Sequence, residues 1–515
     1  MDTRRVEIIV DPDQVNSPEQ IRRLAFAKAG LSETSDLAVS VVRRSVDARS
    51  KRPRFILNVC LDTKNTDHDP VHRFSPRALT GKQAVIVGSG PAGYFAALKL
   101  LEQGVKPLVL ERGKDVDSRR KDIKKLYNPG VVNPHSNYCF GEGGAGTYSD
   151  GKLYTRATKR GSVERILDIF VAHGASPDIR IDAHAHVGSN VLPRVVRNIR
   201  ESILQAGGDI RFNTFVDDLL IEDGRITGVR VNGEETLPAD TVILATGHSA
   251  RDIFRLLVRR NVPVEAKPFA MGVRIEHPQE LIDNIFYRQS PRHPNLPPAS
   301  YRLACQVEGR GVYSFCMCPG GFVVPASTAP GELVLNGMSM SGRSAPFANA
   351  GLVVELRLDD MGNPHDPLTA LCFQSAVEQS LFDLGKTGGQ QAPAQTVGDF
   401  ITGRVSEISG KSSYIPGLYS APLHELLPEM VVSRLRAALN LFGKKYRGFD
   451  SSEAKLMAVE SRTSSPVRVI RDPVTLMSPA VHGLYPCGEG AGHAGGIVSA
   501  AMDGERVAER IALTA

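Results

Sequence analysis

Three groups of residues in this chain have types and spacings suited to chemistry. They are a glycine passage near residue 90, another near residue 490, and two cysteines between them. Gly88-Ser89-Gly90-Pro91-Ala92-Gly93 is a G-x-G-x-x-G. The apolar run 84–87 precedes it, and a helical pattern through Phe95, Leu98, Leu100 and Leu101 follows. A second apolar run, 107–110, ends on Glu111. In that order each part has a job: Gly88 permits a tight turn, Gly90 lets backbone approach a pyrophosphate, and Gly93 lets the helix lie close to the strand. The helix start presents unpaired N–H groups to phosphates, and Glu111 is placed to accept hydrogen bonds from an adenosine ribose. This is the pattern of a dinucleotide site; a glycine-rich turn without a ligand is the plainer alternative.

The stretch CFGEGGAGTYSDGKLYTR, 139–156, carries Gly141, Gly143, Gly144, Gly146 and Gly151 with Thr147, Ser149 and Lys152 interleaved. Such density frees backbone N–H groups to face a ligand, as around the inner phosphate and flavin end of a cofactor; a flexible surface loop is the alternative. Near the carboxyl end, a short strand leads into Gly488-Glu489-Gly490, then Gly492, Gly495 and Gly496, with a helix from Ile497. This second helix start can hold negative charge on the N1–C2=O edge of a reduced flavin, and Glu489 can bind a ribityl or ribose hydroxyl. The strand 241–244 runs into Ala245-Thr246-Gly247, where two-nucleotide-fold flavoproteins bring the chain back beside the cofactor. Cys316 and Cys318 share a strand face but lack a C-x-x-C helix start; they read as packing thiols, or as one thiol facing the flavin. His184 and His186 lie at i and i+2 of an alternating segment, 179–187, with no third ligand in view, so no metal site is expected.

The elements that must position these groups form four blocks. Residues 1–80 read as a small separate α+β unit (strand, helix from the cap Ser17, two strands) ending in a polar linker over 62–80. A basic cluster, Arg43, Arg44, Arg49, Lys51, Arg52 and Arg54, lies on its hairpin and suits either solvent or RNA and acidic partners. Residues 81–260 form the first part of the nucleotide domain and 444–515 the second. Between them, 261–443 is proline-rich and strand-like, with looser helical parts after 366, and reads as an inserted, mainly β substrate domain.

At 515 residues the chain exceeds one ordinary core. A net charge of +6 is mild for this size and does not itself argue for nucleic acid. The first residues lack a signal-peptide core, no apolar stretch suits a membrane span, and seven scattered cysteines do not form a disulfide framework. A reduced, cytoplasmic protein without membrane association is expected. Oligomeric state is not legible.

The phrases VGSGPAGYFAALKL, VLERG, FGEGGAGTYSDGKL, LATGHSARD, YSFCMCPGG, NGMS, ESRTSSPVR and GEGAGHAGGIVSAAMDG span most of 84–505. In these the chain resembles the bacterial FAD-dependent dehydrogenase-like flavoproteins, a family with no defined substrate. The resemblance implies an α/β fold with a discontinuous Rossmann-like FAD domain of the glutathione-reductase type, an inserted β domain and a small N-terminal α+β domain. It implies FAD, a redox activity and a cofactor shell of Gly88, Gly90, Ala92, Gly93, Glu111, Arg112, Gly144, Thr246, Gly247, Gly488, Glu489 and Gly496. Pro91, Gly143, Thr147, Ser149, Lys152, Gly492 and Ile497 join it from the same motifs, and Val216 joins by analogy as a backbone contact to adenine. His493 stands where the family pattern has an aromatic, and reads as a group titrating near neutral pH or as a helix cap.

The expected enzyme is an FAD-dependent oxidoreductase, with hydride passing between flavin N5 and a small molecule held under the β domain. Arg462, Ser464, Ser465 and Arg468, with Lys152, His493, Cys316 and Cys318, are the candidate catalytic groups. The two arginines suggest an anionic substrate, with structural salt bridges as the alternative. No second strand–glycine–helix motif marks an NAD(P)H domain, so electrons come from transient NAD(P)H, a protein donor or the substrate itself. Rival readings are an RNA-modifying flavoenzyme, a reductase of C=C bonds in lipid or cyclic substrates, and a flavin-bearing sensor.

Overall fold

The computed structural model describes all residues except 1–3, 33–35, 51, 63–71, 156, 386–388 and 515. The run Gln83–Val87 has four of its five residues buried and forms the middle of a five-stranded parallel sheet. Across that sheet the order is Leu484–Pro486, Val242–Leu244, Gln83–Val87, Lys106–Leu110 and Asp209–Arg211. Strands apolar along their whole length suit a sheet covered on both faces. Helix Pro91–Glu102, buried nearly all round, packs against Ile497–Thr514, so the two ends of the sequence meet in one layer. The approach is tight: a Cβ on Gly504 would sit 2.1 Å from the Ala92 carbonyl oxygen, and one on Gly93 would sit 1.9 Å from that of Gly88.

A seven-stranded sheet forms the second layer system, in the order Ala304–Val307, Arg310–Cys318, Phe347–Leu356, Phe269–Pro278, Lys455–Glu460, Ala392–Thr396 and Leu418–Ser420. Lys455–Glu460 corrects the expected boundary at 443. It pairs antiparallel with Phe269–Pro278, so the excursion from the nucleotide sheet closes near residue 460. Its polar ends hide a strand whose six residues are all buried. The helical parts after 366 are firmer than expected, with Thr369–Asp383 and Glu429–Lys445 both long and core-forming. The alternating segment 179–187 is not a strand. Pro177–Arg180 is a short 3-10 turn, and Asp182 and His186 make only isolated bridges, to Arg44 and Lys152.

The N-terminal unit folds as strand Arg4–Val10, helix Pro18–Ala29 and strands Ala38–Asp47 and Arg54–Asp62, the last lying between the other two. Ser17 caps the helix through the Gln20 N–H, and Gly30 ends it in the left-handed conformation, both as the sequence indicates. The unit is less separate than its sequence suggests, because Phe26, Phe55 and Leu57 join one apolar cluster with the seven-stranded sheet. From the basic cluster, Arg44 reaches across to Asp182 at 2.7 Å and Asp178 at 3.4 Å, while Arg49 pairs with Asp47 and Arg54 with Asp11. Lys51 and part of the expected linker, 63–71, lie outside the described residues. The described part of the linker is anchored, with Arg77 and Thr80 N–H groups donating to the carbonyls of Leu101 and Gly104.

Two predictions follow from this packing. Gly504→Ala is expected to lower unfolding free energy by about 1–3 kcal/mol in urea denaturation, because backbone on both sides resists a new methyl group. His277 is buried, donates through Nε2 to the Phe449 carbonyl, and is pushed by burial from 6.5 down to about 4. The unfolded chain therefore binds a proton that the folded chain refuses. Stability should fall as pH drops from 6.5 toward 4, and His277→Gln should make that pH dependence shallower by about one proton.

Candidate functional site

The carboxyl ends of the parallel strands open into one large cavity, the usual position for a ligand in an open α/β sheet. Its empty space, mouth included, is about 1490 Å³. Its lining runs from Glu111 and Val216 on the nucleotide side to Phe315 and Cys316 of the second sheet, so the space is elongated. Gly88, Gly90, Pro91, Ala92, Glu111, Arg112, Gly144, Ser149, Lys152, Val216, Thr246, Gly247, Glu489, Gly496 and Ile497 all line it. Thus residues more than 400 positions apart converge on one space, and both glycine-bordered helix starts face it.

The cradle is open where a phosphate would need it open. A Cβ on Gly90 would meet nothing nearer than Gly144 Cα at 3.9 Å, and on Gly247 or Gly496 nothing within 4 Å. With two helix N-termini and an apolar wall, these residues fit an extended flavin dinucleotide. Other predicted cofactor residues work behind the wall. Gly93, Gly488 and Gly492 are packing positions away from the lining, and Gly143 and Thr147 line a small neighbouring recess. Thr147 donates to the Glu142 carbonyl, and the Gly488 N–H donates to Asp503 at 2.8 Å.

Glu111 holds the site together. Its carboxylate accepts from Ser89 N and Oγ (3.0 and 2.7 Å), Gly113 N (2.9 Å) and Gly141 N (3.0 Å). All four acceptor positions are engaged, so it ties the first glycine turn to the 139–146 loop, and any ribose hydroxyl must share them. Arg119, missed in the sequence, does the same from behind. Fully buried, it donates to the carbonyls of Asn137, Tyr138, Gly141, Glu142 and Gly144. No spacing rule marks an arginine in a charged helix as such a staple. Arg112 grips Asp252 with both terminal nitrogens and lies over the Phe140 ring.

Several catalytic candidates are reassigned by their surroundings. Arg462 reaches the cavity wall, but its guanidinium is committed to Glu332 and Glu378 (both 2.9 Å) and to Thr328 at 2.6 Å. Arg251 binds the same two glutamates, Gln374 and Ser375, which makes a buried knot of two cations and two anions. Burial alone would raise the Glu378 carboxyl, and the two guanidinium groups pull it below its ordinary range. Arg468 lies away from the cavity, half-exposed and paired loosely with Glu265 at 3.4 Å. Ser464 is likewise outside the lining, and Ser465 is buried, donating to the carbonyls of Val467 and Gly490. With these arginines spent internally, the sequence-based argument for an anionic substrate is withdrawn. His493 also stands outside the lining. Its Nε2 donates to the Val469 carbonyl, and burial, reinforced by Arg471, pushes it down to about 4, so it stays neutral, against the titrating one of its two sequence readings.

Lys152 and Cys316 do reach the cavity, joined there by Phe315, Asn336, His248 and Thr463, which sequence reasoning did not single out. His248 immediately follows the Ala-Thr-Gly turn, and that adjacency was the available signal. It lies 3.7 Å from Glu489, and burial lowers its pKa. His184 meets the Tyr154 ring at a tilt, while His186 meets the Ser341 carbonyl. Among the described residues no group of three or more His, Cys, Asp or Glu side chains could hold a metal, and no helix is long and apolar enough to cross a membrane.

A family model described as FAD-dependent oxidoreductase matches 156–301, and one described as FAD-dependent protein, C-terminal domain-like, matches 268–463. Residues 2–61 match a domain of unknown function. An uncharacterized protein of Clostridium beijerinckii is 44% identical over 505 residues, 94% of each chain. Protein FixC of Escherichia coli K12 is 29% identical over 212 residues, covering 40% of this chain and 46% of FixC. A geranylgeranyl bacteriochlorophyll reductase-like protein from Thermoplasma acidophilum superimposes with a TM-score of 0.35 at 12% identity, over 84% of this chain and 79% of that one.

The buried knot can be tested directly. Arg462→Met leaves Arg251 alone to balance two buried carboxylates and is expected to cost about 3–5 kcal/mol of unfolding free energy. Arg468→Ala, at the exposed pair, should change it by no more than about 0.5 kcal/mol.

Proposed function

The chain belongs to the family of FAD-dependent flavoprotein oxidoreductases, and on that premise we propose that it passes a hydride between flavin N5 and a small-molecule substrate seated against the second sheet. The observation that carries this reading is the convergence of two distant glycine-bordered helix starts on one elongated cavity. FAD supplies two-electron chemistry when bound; the protein supplies placement and charge.

In this reading the open backbone face at Gly90, with the helix start behind it, receives the pyrophosphate. Val216, Phe215 and Arg112 enclose the adenosine end. Glu489 and the start of Ile497–Thr514 serve the opposite end, where the helix terminus favours negative charge on the reduced ring system. Phe315, Cys316, Asn336 and Lys152, all supplied by the excursion or by the loop it touches, close the space on the substrate side. Lys152 is held by Asp150 at 3.8 Å, and Asp150 is fixed by Arg343 and Ser339, so the ammonium position is set from the excursion. His248, kept neutral by burial, can accept or return a proton beside Glu489.

The purified protein is expected to be yellow, with one FAD per chain released on denaturation. Gly90→Val should leave the fold intact, because a side chain there meets open space, and should abolish FAD retention on gel filtration. A colourless wild-type protein that takes up no added FAD would sink the reading. Anaerobic mixing with NADH and NADPH then shows by flavin bleaching whether a nicotinamide serves as transient reductant.

A further inference from the structure

Where the cavity meets the second sheet, the strand Arg310–Cys318 departs from regular pairing. Phe315 pairs with Gly351 and Cys318 with Asn349, so one extra residue is inserted in this strand. Cys316 sits in that bulge with φ of +44°, a left-handed conformation that a non-glycine residue adopts only under local constraint. Bulges re-aim side chains beside functional sites, and here the result is specific. Cys316 lines the cavity, and Cys318 lies fully buried just behind it.

The two sulfurs share one set of charges. Lys152 Nζ lies 3.7 Å from Cys316 Sγ and 3.9 Å from Cys318 Sγ. Arg274, wholly buried on the strand Phe269–Pro278, places a terminal nitrogen 3.7 Å from Cys318 Sγ and donates to the Cys316 carbonyl at 2.9 Å. Two carboxylates face the same cluster: Glu460 is paired with Arg274 at 2.5 Å, and Asp150 is shared between Lys152 and Arg343. The net surroundings favour one thiolate. The side-chain hydrogen bond from Cys318 pulls the Cys316 thiol well below its ordinary range, and the same contact pushes Cys318 well above. One sulfur is thereby an attacking group exposed to the cavity, and the other is a protonated partner in reserve. Packing thiols need neither a shared ammonium nor a strained backbone.

We propose that Cys316 and Cys318 are a redox-active dithiol on the substrate side of the flavin cavity, closing to an intramolecular disulfide as two electrons pass between the pair and FAD. In the oxidative direction the S–H bond of Cys318 breaks, a Cys316–Cys318 S–S bond forms, and the pair gives up two electrons and one proton. One oxidised FAD takes up both electrons and that proton; in the reverse direction the disulfide returns to thiolate and thiol. The proposal rests on the FAD reading for the destination of the electrons, and not for the disulfide itself. A flat strand sets Cα atoms two residues apart at about 6.6 Å, near the upper end of the ~4.4–6.8 Å that a disulfide spans. Parallel side chains on a flat strand would keep the sulfurs apart; the bulge and the left-handed Cys316 break that alignment and bring both sulfurs against one ammonium, which favours closure.

The test uses the purified full-length protein as isolated. After treatment with diamide, peptide mass mapping is expected to find the 316–318 peptide short by two hydrogens and resistant to iodoacetamide. Before treatment, Cys316 should alkylate fastest of the seven cysteines, with a pH midpoint below that of an ordinary thiol. Cys316→Ser should lose this fast phase, and Cys318→Ser should keep it while forming a mixed disulfide with glutathione. Anaerobic dithionite titration of the diamide-treated holoprotein should take up four electrons per FAD, against two for Cys316→Ser. Two electrons in both, or no 316–318 disulfide, overturns the proposal. A protein without FAD defeats the flavin reading instead, and the mass and alkylation results then decide the dithiol alone.

Discussion

The buried knot of Arg251, Arg462, Glu332 and Glu378 is the interaction on which the arrangement of this molecule turns. Arg251 opens the helix that follows the Ala-Thr-Gly turn of the nucleotide sheet. Arg462 follows the last strand of the second sheet, Glu378 comes from the helix Thr369–Asp383, and Glu332 from the loop before Leu335–Ser339. None of the four side chains is more than 8% exposed. Charges that deep are tolerated only when every partner is present, so the four segments must arrive in one relative position. That position leaves the cavity between the two sheets with a defined width. The knot reaches the cavity wall at Arg462, and its chemistry is spent on holding the wall rather than on a substrate.

The nucleotide end of the cavity is shaped by a different means, close backbone approach. Gly93 and Gly504 let helices and turns come within distances that any side chain would forbid. Glu111 and Arg119 then fix the loops that those approaches bring together, one accepting N–H groups from three segments and the other donating to five carbonyls. A loop of five glycines has high conformational entropy when free. Here it is ordered from beneath by one guanidinium, which leaves its upper face available to a ligand.

The substrate end has the opposite character. It is built from a bulge, a strained cysteine, a lysine and a buried arginine, all held from the second sheet. Rigid cradle and reactive edge thus come from different layers, joined by the ion knot and by the Asp150–Arg343–Ser339 link. The N-terminal unit adds to the same frame through its shared apolar cluster and the Arg44 contacts, so part of its positive charge serves docking within the chain.

The sequence by itself determined the local nucleotide motifs, because their signals are carried by neighbours. Strand, glycines, helix start and terminal acid lie within 30 residues of each other, and turn geometry demands those residue types at those places. It also determined that the two ends belong to one flavin domain, since each glycine passage carries its own strand and helix. It did not determine which polar residues face the ligand. Arg462, Arg468 and His493 share a polar texture with residues that line the cavity, and only partners distant in sequence, Glu332, Glu378, Glu265 and Val469, reveal that their hydrogen bonds are already made. Lys455–Glu460 was hidden for the same reason, its polar ends being satisfied far along the chain, Lys455 by the Lys411 carbonyl and Glu460 by Arg274. The meeting of Lys152 with Cys316 and Cys318 was likewise decided by tertiary structure alone, because a bulge and a crossing loop join residues 164 and 166 positions apart. Local conformational preference is written in adjacent residues, whereas satisfaction of a buried charge is a property of the whole folded chain.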